Sequence, residues 1–119
     1  LEAARQGRPV SVVSDQIGVP TWAGSLCDSL ERVFTSGAYG IYHGVDRGAV
    51  SRYGQAVAMC EAAGLSPASL SPIASKDFPQ AARRPMYSVL DPAELPVPQW
   101  TTAMHSFLAQ YLAVSPPLA

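Results

Sequence analysis

Apolar residues recur along this chain at two spacings, every three to four residues in some stretches and in short unbroken runs elsewhere. The two spacings mark out helices and short strands. Leu1–Gln6 reads as the last turn of a helix, with Gly7 as its stop. Pro9–Val13 is a β-branched run and reads as a strand. The loop Asp15–Pro20 follows, punctuated by Gly18 and Pro20. Thr21 is placed to cap the next helix through its hydroxyl. Trp22, Leu26, Leu30, Val33 and Phe34 then form one apolar face, and Ser36 and Gly37 end it. Ile41–His43 reads as a short strand between Gly40 and Gly44.

Ser51 caps a further helix whose inner face carries Tyr53, Ala56, Val57, Cys60 and Ala63, with Gly64 as the stop. Ser66–Pro85 is rich in Ser, Pro and Ala and reads as mostly loop, with at most a short strand at the apolar piece Leu70–Ile73. Loops of that length inside compact domains are often functional. Met86–Leu90 is extended, and Asp91–Pro92 opens a turn or a one-turn helix through Leu95. Trp100, Met104, Phe107, Leu108, Tyr111 and Leu112 make the clearest amphipathic stripe, ended by Ser115–Pro117. About four helices and several short strands make the chain α/β. The strands are too few for a sheet of their own. Those at Val10–Val13 and Ile41–His43 are expected to lack partners within the chain, and at least one to lie at the edge of a sheet formed by other residues.

The 119 residues suffice for one domain of modest core. With 48% hydrophobic and 14% charged residues the chain is folded rather than disordered. Seven arginines and one lysine against nine acids give a net charge of −1, without the basic face a nucleic-acid binder needs. Apolar runs are too short to span a bilayer, and Leu1–Arg5 has no signal-peptide core, so no membrane partner and a cytoplasmic location are expected. Cys27 and Cys60 read as small buried hydrophobes. His43 and His105 are too isolated for a metal site.

Two passages carry more specific information: Ser14-Asp15-Gln16-Ile17-Gly18-Val19-Pro20-Thr21, and Ala82-Arg83-Arg84-Pro85-Met86-Tyr87-Ser88-Val89-Leu90-Asp91. Gly40-Ile41-Tyr42-His43, Ser51-Arg52-Tyr53 and Ala63-Gly64-Leu65 lie between them in order, and Trp100 with Ala103 follows. Together they resemble the carboxyl-terminal part of the dTDP-4-dehydrorhamnose reductases, which are extended short-chain dehydrogenases. Arg52, Gly54 and Asp46 depart from the usual pattern, where an aromatic, an acid and a glycine are common.

The resemblance implies the C-terminal part of a Rossmann-like fold, with residues 1–119 as a substrate-binding segment and the dinucleotide-binding domain outside this chain. It implies a parent enzyme that passes hydride from NADPH to the 4-keto group of dTDP-4-dehydro-L-rhamnose. The partners it implies are the nucleotide-sugar, the chain's own N-terminal domain and a second copy in a homodimer. A sugar-nucleotide epimerase or dehydratase is the alternative within the superfamily. A regulatory subunit like that of methionine adenosyltransferase is the alternative outside catalysis.

The superfamily's Tyr-x-x-x-Lys pair is absent: the one lysine is Lys76, and Pro72 stands four residues before it. The glycines Gly37, Gly40, Gly44 and Gly48 do not sit between a strand and a helix start, as a phosphate-binding turn requires. No catalytic, cofactor-binding or metal residue is therefore assigned. Arg83 and Arg84 are the candidates for the diphosphate, since a guanidinium offers a planar fork of donors; a structural ion pair with Asp77 or Asp91 is the alternative. Asp15 and Gln16 are candidates for the sugar or base, against a role in holding a tight loop. Thr21 is read as a cap, Tyr53 and Trp100 as core, and His43 as a packed histidine. The segment alone is expected to be marginally stable and not to bind NADPH. Isothermal titration showing micromolar NADPH affinity for the isolated segment would overturn the second expectation.

Overall fold

In the computed structural model, which describes residues 1–93 and 95–114, the chain divides into two compact units. The first comprises Leu1–Gly18 and Ala49–Val89, and the second Val19–Gly48 and Leu90–Ala119.

The first unit is built on two parallel strands. β1 (Val10–Val13) pairs in register with the strand at Leu70–Ile73, from Val10 opposite Leu70 to Val13 opposite Ile73. The sequence reading left Val10–Val13 without a partner in the chain, and that is corrected here. The short strand at Leu70–Ile73 was read from the sequence, but not its pairing with Val10–Val13; opposite Val12, Pro72 withholds one N–H from the ladder. α1 (Glu2–Arg5) precedes β1.

A second, three-stranded sheet is made of two-residue strands: β2 (Ile17–Gly18), β3 (Val50–Ser51) and β5 (Tyr87–Ser88), with β4 denoting Leu70–Ile73. β2 lies between the others, antiparallel to β3 and parallel to β5. The expected loop at Asp15–Pro20 thus contains a strand, too short for any alternation to reveal. α3 (Arg52–Ala62) packs on β1 and β4 and buries Cys60. The expected Ser51 cap forms: its hydroxyl accepts from Gly54 N–H at 3.0 Å. At the other end Leu65 N–H reaches Cys60 C=O (2.8 Å) and Gly64 N–H reaches Glu61 C=O (3.0 Å). That paired pattern needs a left-handed residue, which Gly64 supplies at φ +69.

The second unit packs α2 (Ala23–Ser36) and α4 (Trp100–Val114), joined by irregular chain. The expected strand at Ile41–His43 does not form, and Ile41 is almost fully exposed. His43 instead places its Nδ1 3.0 Å from the Asp91 carbonyl. Thr21 is not the α2 cap. Trp22 occupies that position, and its N–H donates to Asp46 Oδ2 at 3.0 Å, while Thr21 Oγ1 accepts from Asp46 N–H at 3.4 Å. A carboxylate 24 residues downstream thereby holds the entry to α2. Asp46 is only 1% exposed.

The α2 face is also rotated from expectation. Ser25 and Ser29 are buried, whereas Leu30 is 47% and Phe34 81% exposed. The two hydroxyls make this possible by donating to the Trp22 and Ser25 carbonyls, so they enter the interior already satisfied. Cys27 is exposed, contrary to expectation, and both cysteines are free thiols.

The buried side of α4 is Ala103, Met104 and Leu108, joined by Leu95. Phe107 and Tyr111 stack at 5.7 Å between ring centroids, but Tyr111 and Leu112 are partly exposed. The turn at Asp91–Pro92 is present: Asp91 Oδ1 accepts from Ala93 N–H at 2.9 Å, and Leu95 N–H donates to Pro92 C=O at 3.1 Å. Glu94 and the expected stop at Ser115–Pro117 lie outside the described residues.

Replacing Asp46 by Ala strands the Trp22 N–H, at a cost of about 1–2 kcal/mol, the scale of a lost N-terminal cap. Asp46→Asn keeps an acceptor and is expected to recover most of it. Urea unfolding followed by tryptophan fluorescence checks this, since Trp22 and Trp100 both belong to this unit.

Candidate functional site

The first unit contains a cavity of about 320 Å3. Its floor is Ser11, Val12 and Val13 of β1, and its walls are Gln16, Arg52, Phe78, Gln80 and Arg84. Three separate stretches are drawn together here by the small sheet. Ile17 pairs with Ser51 on one side and with Tyr87 on the other, so the residues flanking each pairing converge. Gln16 precedes Ile17, Arg52 follows Ser51 as the first residue of α3, and Arg84 lies just before β5. The Arg52 N–H donates to the Gln16 carbonyl at 3.2 Å, which fixes the start of α3 against the site.

The four residues singled out from the sequence fare differently. Gln16 is 8% exposed and lines the cavity. A primary amide offers two donors and a carbonyl acceptor. Arg84 lines the same cavity, while Arg83 is exposed and does not line it.

Asp15 turns away from the cavity. Its two carboxylate oxygens each lie 3.0 Å from Ser75 N, and Oδ2 also accepts from the Ser75 hydroxyl at 3.0 Å.

Arg52, Phe78 and Gln80 were not anticipated. Phe78 and Gln80 carried only the weak signal of lying in a long loop. Arg52 had a sharper one, as the residue that departs from the family's usual aromatic.

The chemistry of this lining is recognition. Two guanidiniums present planar forks to phosphate oxygens. Two primary amides can read hydroxyls or a base, and Phe78 offers a partly exposed ring for stacking. None of the lining residues is an acid, tyrosine, histidine or lysine.

The second unit has a smaller cavity of about 200 Å3 between α2, α4 and the Pro96–Pro98 stretch. Three of its four alcohols are engaged, Ser25, Ser29 and Ser106 each donating to a carbonyl of the preceding turn. Among the described residues no cluster of three or more His, Cys, Asp and Glu could hold a metal ion, and no helix is long and apolar enough to cross a membrane.

Known proteins fit this picture. A family model described as the RmlD substrate binding domain matches residues 1–113. A dTDP-4-dehydrorhamnose reductase of Mycobacterium tuberculosis is 37% identical over 114 residues, covering 90% of this chain and 37% of that protein. A dTDP-4-keto-6-deoxy-D-glucose reductase of Streptomyces niveus is 32% identical over 110 residues, covering 87% of this chain and 38% of that protein. Among solved structures, dTDP-4-dehydrorhamnose reductase from Bacillus anthracis in complex with NADP superposes with a TM-score of 0.84 at 26% identity, covering 92% of this chain and 41% of that one. The likeness bears out the α/β, Rossmann-like extended short-chain dehydrogenase fold expected from the sequence. The chain spans about two fifths of the length of these relatives.

Proposed function

The chain belongs to the RmlD substrate binding domain family, and from that premise we propose that it is the nucleotide-sugar-binding part of an NADPH-dependent dTDP-4-dehydrorhamnose reductase. The product of that enzyme, dTDP-L-rhamnose, serves cell-surface polysaccharide synthesis in the cytoplasm. The observation that carries this reading is the convergence of Arg52, Arg84 and Gln16 on one cavity of the first unit. In it, Arg52 and Arg84 grip the diphosphate, Gln16 and Gln80 meet polar edges of the sugar or base, and Phe78 covers an apolar face. The relatives' names favour this reading over an epimerase, a dehydratase or a regulatory subunit.

The described residues do not fit a nicotinamide cofactor. Where a strand runs into an α-helix, the connections are Val19–Trp22, the direct junction at Ser51–Arg52 and residues 89–99, and none is a glycine-rich phosphate turn. NADPH therefore belongs to a preceding dinucleotide-binding domain, where it supplies the hydride. The present residues contribute binding energy away from the reacting carbon, which an enzyme uses to hold the 4-keto group in a productive position. β1 and β4 form a sheet of only two strands, and a neighbouring strand of that domain would extend it. A homodimer belongs to the same reading.

In the full polypeptide, Arg84→Ala is expected to raise KM for the nucleotide-sugar by the equivalent of about 1.5–3 kcal/mol, the scale of hydrogen bonds to a charged group. Arg52→Ala should act in the same direction, Arg83→Ala should have little effect, and NADPH affinity should be unchanged in all three. Steady-state kinetics with each substrate varied in turn checks this. If Arg84→Ala keeps the wild-type KM and lowers only the melting temperature, the cavity is not the diphosphate site.

A further inference from the structure

The stretch between β4 and β5 is tied down at both ends, and both ties go to the same short segment. At its start, the Ser75 N–H and hydroxyl are held by the Asp15 carboxylate. At its finish, Met86 C=O accepts from Ile17 N–H at 2.9 Å, just before Tyr87 pairs with Ile17. Gln16 stands between the two anchor residues. The stretch therefore forms a strap closed at its base across Gln16, and Phe78, Gln80 and Arg84 from within it line the cavity that Gln16 faces.

The first anchor is chemically specific. Ser75 opens a single 3-10 turn, Ser75–Asp77, whose N-cap residue is Ala74. Alanine has no side-chain acceptor, so the Ser75 N–H has no local cap. Asp15 supplies one from 60 residues away. Three contacts at 3.0 Å consume most of the acceptor capacity of a carboxylate, and Asp15 does not line the cavity.

We propose that Asp15 is a positioning residue: by clipping Ser75 it sets the base of the strap, and through the strap it sets where Arg84 meets the ligand. This rests on the reading of the cavity as the nucleotide-diphosphate site. The rest of the strap, from Lys76 to Pro85, is exposed. Without the clip the strap samples more conformations, and ordering it at each binding event weakens affinity.

The test is a double-mutant cycle on the full polypeptide with dTDP as the probe. Asp15→Asn preserves shape but removes the charge and one acceptor oxygen. It is expected to raise the Kd for dTDP about tenfold, the equivalent of one charge-assisted hydrogen bond. Backbone hydrogen exchange across residues 76–85 should speed up, and NADPH affinity should stay the same. Ser75→Ala, which removes only the hydroxyl contact, should do the same to a smaller degree. In an Arg84→Ala background the Asp15→Asn effect should largely vanish, because the residue that the clip positions is gone.

Fully additive effects would mean that Asp15 acts on the ligand independently of Arg84, and would overturn the proposal. So would unchanged exchange in the strap, or unchanged dTDP affinity in Asp15→Asn when Arg84→Ala does weaken binding. If Arg84→Ala alone leaves dTDP binding intact, the reading of the cavity itself falls, and this proposal with it.

Discussion

The parallel pairing of Val10–Val13 with Leu70–Ile73 is the constraint on which the first unit depends. Parallel strands cannot be joined by a tight turn, so the chain between them must cross from one end of the pair to the other. α3 makes the return and lies on both strands. Because the pair is parallel, both strands deliver their following residues at the same end. Ser14 and Asp15 emerge from β1 where Ala74 and Ser75 emerge from β4, and they are fastened there: Ser14 N–H and its hydroxyl both donate to Ile73 C=O, and Asp15 holds Ser75. Loops beyond the carboxyl ends of parallel strands are where α/β proteins assemble ligand sites, and the geometry here shows the reason. An antiparallel pair would have placed these two loops at opposite ends.

The second unit is organised by polar groups to a degree unusual for its size. Asp46 closes the start of α2, and the next residue, Arg47, closes the start of α4. Arg47 accepts from Trp100 N–H at 2.9 Å and donates its own N–H to Pro98 C=O at 2.8 Å. Its guanidinium donates to the carbonyls of Ala93 and Leu95 at 2.9 and 3.2 Å. The segment Pro92–Pro98 contains three prolines, which have no N–H to give a strand ladder, so its carbonyls need an outside donor. Arg47 is that donor. Gly48 completes the arrangement at φ +97: a Cβ there would meet the Trp100 ring at 2.8 Å, so the residue must be glycine for Arg47 and Trp100 to sit this close. The buried Asp46 costs desolvation, and one of its oxygens has no partner among the described residues. What it secures in exchange is the entry of α2, where Trp22 itself offers no cap.

These details mark the boundary of what a sequence discloses. Signals confined to one turn were legible: the β-branched run before Ser14, the Ser51 cap, the stops at Gly7, Gly37 and Gly64, all of positive φ, and the short strand in the long loop. Each rests on the chemistry of a few adjacent residues. Signals that depend on a distant partner were misread. Thr21 has a capping hydroxyl beside the helix, yet the cap position falls on Trp22, whose own N–H goes to the Asp46 carboxylate. On α2 the apolar residues gave a clean stripe, but serine can enter an interior when its own helix accepts its proton, so the stripe pointed partly outward. Of the cavity lining, Gln16 and Arg84 were each named from the sequence as one member of an adjacent pair. Which member lines the cavity depends on how the bend at Asp15 and the irregular chain at Arg83–Arg84 are held by distant residues, and that is not written in either motif.

The distribution of charge bears on why the cavity reads as an anion site. Only eight side chains in the chain carry a lysine or arginine charge, and two of them, Arg52 and Arg84, line one cavity of about 320 Å3 without an acid among the lining residues. Like charges brought together oppose folding unless something neutral solvates them or something negative arrives. The neighbours supplied by the fold are amides and a phenyl ring, which tolerate the guanidiniums without neutralising them. A site that wanted only stability would have placed one of the nine acidic residues there, and Asp15, adjacent in sequence to Gln16, was the nearest to hand. Its carboxylate is instead spent on Ser75, outside the cavity. On the reading proposed above, Arg52 and Arg84 keep their charge for a diphosphate, while the Asp15 carboxylate serves outside the cavity, where it holds Ser75.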